Sequence, residues 1–224
     1  DQPMSRTPAK PRAFSFKQQY INYLIQTKLL GKKANTDSIF SKQRRIETIE
    51  KVVKEKFAPF VGKTDSEILK KLNSDLGRSA KSYKRLIVNR ILGVDSNHIE
   101  ELDKANITLK VVTLEHTGGL KESMSFPAFD YKDLLTQVWY DDEEEMMSDF
   151  HLQLETKKFL FVIFQKHRNN NDIVLKKTMF WNFPMKDISE AEKVWQKTVD
   201  CIREGSYSDL PKIRDSYVAH VRPH

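Results

Sequence analysis

The chain reads as a mixed α/β fold, with a helical first half followed by a mixed sheet and one long helix. Three observations predict this. Apolar residues recur at helical spacing through the first half, as at Ile46, Ile49, Val53 and Phe57. The pattern then changes to short β-type runs at Ile107–Leu114, Phe159–Phe164 and Ile173–Phe183. Finally, a start signal at Ser189–Glu192 opens a long amphipathic segment that stops at Gly205.

Taken in order, residues 1–13, with three prolines among basic residues, read as a linker or arm, and Asp1-Gln2-Pro3 looks like a cut from a longer protein. No secretory leader is visible there, because no apolar stretch follows the polar start. Residues 14–58 form a helical segment that packs on the rest of the domain or on another half of the protein. Within it, Phe14–Leu30 is a helix candidate ending at Gly31, and Ile39–Phe57 is a second. The second has a basic face of Lys42, Arg44, Arg45, Lys51 and Lys54, which suits solvent as well as it suits DNA. Residues 59–224 form the main domain.

Thr64-Asp65-Ser66-Glu67 is a capping box that starts a helix through Leu72. Ser79–Leu92 is another helix, closed by Gly93. Ile107–Leu114 and Ser123–Phe126 are β-type runs flanking a turn signal at Gly118-Gly119. The unbroken apolar run Phe159–Phe164 predicts a strand buried on both faces. Asn169–Asp172 is a turn before the strand Ile173–Phe183, the long helix from Ser189 is laid on the sheet, and Tyr217–Val221 is a last strand.

Composition excludes several classes. The 224 residues contain no apolar run approaching the roughly 18 residues of a membrane helix. The single cysteine, Cys201, rules out an internal disulfide and a cysteine-built zinc site, and suits a cytoplasmic setting. No phosphate-binding glycine loop and no Gly-x-Ser-x-Gly elbow is present. The six histidines are scattered; His220 and His224 come nearest to metal-ligand spacing, with a proline between them. Thirty-eight Lys and Arg against 31 Asp and Glu give +7, most of the excess lying in the first 110 residues, which favours a polyanionic partner. The acidic run Asp141–Glu145 reads as a solvated loop, since five adjacent carboxylates do not converge on an ion.

The stretch Ser96–Asp130, S-N-H-I-E-E-L-D-K-A-N-I-T-L-K-V-V-T-L-E-H-T-G-G-L-K-E-S-M-S-F-P-A-F-D, carries the strongest signal. It resembles the MutH mismatch-repair nuclease and its relatives among type II restriction endonucleases that cut at GATC. In that family an acidic residue precedes a strand motif Glu-x-Lys by seven positions. The resemblance extends to Tyr83–Gly93, to Lys157–Val162, to Ser189–Gly205 and to Tyr217–Pro223, and so spans about residues 60–224. It implies a MutH-like fold, a central mixed sheet flanked by helices, with a DNA cleft between two lobes.

Carried over residue by residue, the resemblance implies a degenerate catalytic site. Lys110 is retained, the motif's Glu is Thr108, the upstream acid is Glu101, and a supporting Glu on the preceding helix is Asn89. Magnesium is held by carboxylates together with substrate oxygens, so losing two of three acids implies no metal and no cofactor for this segment. Glu100, Asp103 or Glu115 could substitute as ligands. Some family members carry two MutH-like halves, the second lacking the acids, and the resemblance is to such a second half. It implies an allosteric effector that binds double-stranded DNA containing GATC and stimulates a magnesium-dependent catalytic half, with no membrane partner. The implied DNA contacts are Arg222, Lys157, Lys158, Lys84, Arg85 and Lys110. An active magnesium-dependent nuclease and a protein-interaction scaffold are the alternative readings.

Overall fold

The helix expected at Phe14–Leu30 forms over Gln18–Leu24 (α1) and continues as a π-helical turn over Ile25–Leu29. The computed structural model describes residues 16, 18–30, 37–40, 47–120, 123–142 and 146–222. The arm at 1–13, the basic residues Lys42, Arg44 and Arg45, the apolar Ile46, and Pro223 and His224 lie outside the described residues.

The second helix, α2, covers Ile49–Phe57 rather than starting at Ile39. The Thr48 side chain accepts from Lys51 N at 3.3 Å, which fixes the start. Residues 37–40 are instead tied to the loop before Glu100: Asp37 N donates to His98 O at 3.1 Å and Glu100 N donates to Asp37 O at 2.9 Å. The Thr64–Glu67 capping box forms as expected and opens α3, Asp65–Lys71. The next helix, α4, is shorter than expected at Tyr83–Leu92, because Ser82 is left-handed (φ 62°) and breaks the helix before it. Its end is a Schellman motif in which left-handed Gly93 donates to Arg90 O at 3.1 Å and Val94 donates to Asn89 O at 3.0 Å. A short helix α5, Glu100–Lys104, leads into β1, Ile107–Leu114, whose bounds match the sequence reading.

The turn at Gly118-Gly119 closes through Glu115 N to Gly119 O at 2.8 Å, but the run after it is no strand. Only an isolated bridge from Leu114 to Leu120 follows, and Ser123–Phe126 is irregular. Two short helices, α6 (Tyr131–Thr136) and α7 (Asp149–Thr156), flank a minimal hairpin of β2 (Tyr140–Asp141) and β3 (Met146–Met147). The acidic run therefore begins in a strand at Asp141, and residues 143–145 lie outside the described residues. Then come β4, Lys158–Lys166, and β5, Ile173–Asn182.

The long helix α8 covers Ile188–Arg203. The expected capping box at Ser189 is absent, because a 3₁₀ turn at Met185–Asp187 runs straight into the helix and leaves Ser189 inside its first turn. A second Schellman motif, Gly205 N to Ile202 O at 3.2 Å and Ser206 N to Cys201 O at 2.8 Å, ends it. Tyr217–Val221 is not a strand: among the described residues it pairs with no strand, and its backbone bonds are Val221 N to Pro211 O at 2.9 Å and Val218 N to Ser216 Oγ at 3.1 Å.

The main sheet has three strands in the order β1-β4-β5, with β4 parallel to β1 and antiparallel to β5. It is mixed, as expected, and its central strand buries Phe159, Leu160, Val162 and Phe164. One face packs on α2, α3 and α4, joining Val53, Phe57, Ile68, Ile87 and Leu92 to Leu160, Val162 and Leu175. Under this core, buried Asp65 accepts from Tyr83 Oη at 2.8 Å and Arg78 Nη2 at 3.0 Å, tying α3 to α4.

A second core holds Leu134, Trp139, Leu154, Trp195 and Ile202. Here α8 packs on α6 and α7 rather than lying on the sheet. The second core meets the other sheet face through Phe126, edge-on to Phe150 and to Phe159 near the start of β4, and through Phe183, edge-on to Trp181 near the end of β5. Among the described residues, no helix is long and apolar enough to cross a membrane.

Candidate nucleic-acid interface

Strand alternation places Thr108 and Lys110 on one face of β1, opposite Phe159 and Phe161 of β4. This is the face that the second core covers only in part. Lys110 Nζ donates to Ser125 O at 3.3 Å. Lys157, at the junction of α7 and β4, donates to Gln153 Oε1 at 3.3 Å. Burial pushes the Lys157 ammonium below the ordinary lysine range, and the charge of Lys110 adds to the effect. The sheet therefore brings two of the expected DNA-contacting cations together. Among the described residues neither has a carboxylate at ion-pair distance. Two mutually repelling ammonium groups in a half-buried setting are stabilised by an anion, and a phosphate supplies one.

Lys84 stands across the exposed edge of β1, its Nζ 2.7 Å from Thr113 Oγ1. A groove of about 620 Å³ wraps this edge, lined by Lys84, Lys110, Phe161, Lys166, Met179 and Trp181. Sequence reasoning missed its floor. The signal was present as alternation, Phe159/Phe161 and Met179/Trp181, but the apolar run around the first pair concealed it.

The other expected residues have different company. Adjacent Lys158 points to the helix-covered side, where it pairs with Glu50 of α2 and lies 5.2 Å over the Phe180 ring. Arg85 donates to Asn97 Oδ1 at 3.2 Å and Asn97 O at 3.0 Å, and burial lowers its pKa. Asn89 is buried and donates to the same loop, at Asn97 Oδ1 (3.0 Å) and Ser96 O (3.3 Å), while its own Oδ1 has no partner among the described residues. Arg222 is exposed on the extended tail after α8.

The acids do not converge on Lys110. Glu101 turns toward residues 38–39: its carboxylate accepts from Ser38 Oγ and from Ile39 N, the latter at 3.1 Å. The three possible substitutes are also engaged. Glu100 pairs with Lys104 and accepts from Tyr23 Oη at 2.9 Å. Asp103 lies 3.5 Å from His98, and burial raises its pKa. Glu115 pairs with Lys166 at 2.7 Å. Among the described residues, no group of three or more His, Cys, Asp or Glu is placed to hold a metal ion.

No family model matches the chain. It is similar to the type II restriction enzyme Sau3AI of Staphylococcus aureus, with 29% identity over 251 aligned positions covering all of this chain. The chain spans about half the length of that relative (50%). A full-length match of this extent, on a mixed sheet with a basic groove at its edge strand, relates the chain to a type II restriction enzyme.

Proposed function

We propose that this chain is a DNA-binding effector half of a type II restriction endonuclease of MutH-like fold, which recognises GATC without cutting it. Binding a second GATC site would stimulate cleavage by a catalytic half of the same polypeptide, and by linkage cleavage-competent binding there would tighten this site in return. The observation that carries the reading is the arrangement around Lys110. The strand position two before it is a hydroxyl, Thr108, and the nearest acid in the motif, Glu101, spends both carboxylate oxygens on Ser38 and Ile39. Magnesium is held by carboxylates and demands near-octahedral oxygen donors, so this donor set does not fit it. What is left is Lys110 in a groove wall with Lys157 near it, which supports phosphate contact and the non-specific part of DNA affinity. Arg222 is exposed on the tail, and in this reading its guanidinium is the bidentate donor to guanine.

A gel-shift titration with GATC and scrambled duplexes, with and without magnesium, tests this. The expected result is a salt-sensitive shift that prefers GATC and weakens in Arg222→Ala, with no strand cleavage in either condition. Nicking that disappears in Glu101→Ala would establish an active nuclease instead. No shift at low salt, with retained binding to a catalytic half, would establish a scaffold.

A further inference from the structure

Duplex DNA offers a protein phosphates, sugars and the polar edges of paired bases, all of which ask for cations and hydrogen-bond donors. The groove at the β1 edge has cations at Lys84, Lys110 and Lys166, the last paired with Glu115, and hydroxyls at Thr113 and Ser123. Its floor is aromatic and apolar. Phe161 lies nearly parallel to Phe159, with centroids 5.7 Å apart and planes at 7°. Trp181 leans over Phe161 at 5.9 Å and 46°. Met179 of β5 is 37% exposed, and Met124 and Leu120 on the loop after β1 also reach water. The second core reaches this floor at its margins, where Phe126 meets Phe159 and Phe183 sets its ring edge-on to Trp181.

We infer that this groove takes an unstacked nucleobase of DNA, stacked on the Phe161–Trp181 floor, with one flanking phosphate held at Lys110 in the groove wall and the next at Lys157, outside the groove just before β4. The inference rests on the DNA-binding reading above and adds to it the state of the DNA that is bound. Charge complementarity selects this occupant. An apolar helix or strand of a partner protein would fill the floor but bring no anion to the Lys110–Lys157 pair, whereas a nucleotide supplies a π-face and a phosphate in one unit. The size agrees, since about 620 Å³ falls within the roughly 300–1,000 Å³ of small-ligand sites. The sheet also supplies rigidity: Phe161 is on the central strand and Trp181 faces Phe159 across the β4–β5 ladder, so the floor exists before the base arrives.

Tryptophan emission gives a direct reading. Trp139 and Trp195 are buried (8% and 6% exposed), so Trp181 is the tryptophan of the three that a bound base can reach. Titration with short oligodeoxythymidylate is expected to quench emission, and Trp181→Phe to abolish the quench. A duplex carrying one extrahelical base is expected to bind about tenfold tighter than the fully paired duplex, the scale of one base–aromatic stack. Met124→Glu with Met179→Glu, both at exposed positions, should erase that difference while leaving the melting temperature unchanged. If paired and extrahelical duplexes bind equally and emission does not change, the base site is overturned while the duplex reading stands. If no DNA of any form binds, both fall.

Discussion

Glu101 can be tested as a structural tether against its alternative as a metal ligand. Its carboxylate holds Ser38 Oγ and Ile39 N, and Ile39 is a buried core residue. Hydrogen bonds to a charged acceptor contribute about 1.5–3 kcal/mol each when well shielded. Glu101 is half-buried and Ser38 exposed, so the pair together is placed at about 2 kcal/mol. For a domain of this size that is about 4–8 °C in melting temperature. Glu101→Ala should show this loss by thermal denaturation without magnesium, with faster amide exchange at Ile39. Glu101→Gln should recover part of it, because the amide oxygen can still accept from Ile39 N. A cation ligand predicts the reverse. Removing one acid from an empty cluster of acids relieves repulsion, so Glu101→Ala would leave the melting temperature unchanged or raise it. It would also delete a magnesium-induced rise seen in the unsubstituted chain. That pair of results would refute the tether and reopen the site as a nuclease.

The lysines and the acid limb give further checks. Lys110→Ala and Lys157→Ala should each weaken DNA binding across sequences and lower the salt slope by about one, measured by fluorescence anisotropy. Lys158→Ala should leave the slope unchanged, since Lys158 serves Glu50 on the other face. Lys158 holds the Glu50 carboxyl below its ordinary value of 4.5, so the charged, paired form stabilises the fold above about pH 4.5 and that contribution is lost as pH falls further. Urea midpoints measured down this limb should fall less steeply in Lys158→Met, and an unchanged limb would show the pair to be idle.

The parts of the fold legible in the sequence are those set by neighbours within about one turn. The Thr64–Glu67 box and the glycines after α4 and α8 need no distant partner, while β1 is legible because its β-type run does meet a receiving strand, β4. Tyr217–Val221 has equally good β-type residues, yet a strand exists only where another strand receives it, and none does. Ser189-x-x-Glu192 has the letters of a capping box, but the preceding 3₁₀ turn moves the helix start to Ile188 and strips the motif of its position. Of the candidate site, Thr108 and Lys110 could be read because alternation along one strand fixes a shared face. The direction of Glu101 could not, because the groups it serves lie 63 and 62 residues away.

The same distinction explains why counting positive charges cannot locate the interface. Lys157 and Lys158 are neighbours with the same side chain, and sequence gives them the same prospect of meeting DNA. The strand sends them to opposite faces. On one face Glu50, carried there by α2, consumes Lys158 in an ion pair and the Phe180 ring lies under its ammonium. On the other, among the described residues, Lys157 donates to Gln153 and feels the charge of Lys110, with no carboxylate at ion-pair distance. A net charge of +7 is thus a poor guide, since cations such as Lys51, Lys104, Lys166 and Lys197 are already answered by carboxylates. The informative quantity is the charge the fold leaves unanswered, and at the edge of β1 it falls beside the aromatic floor.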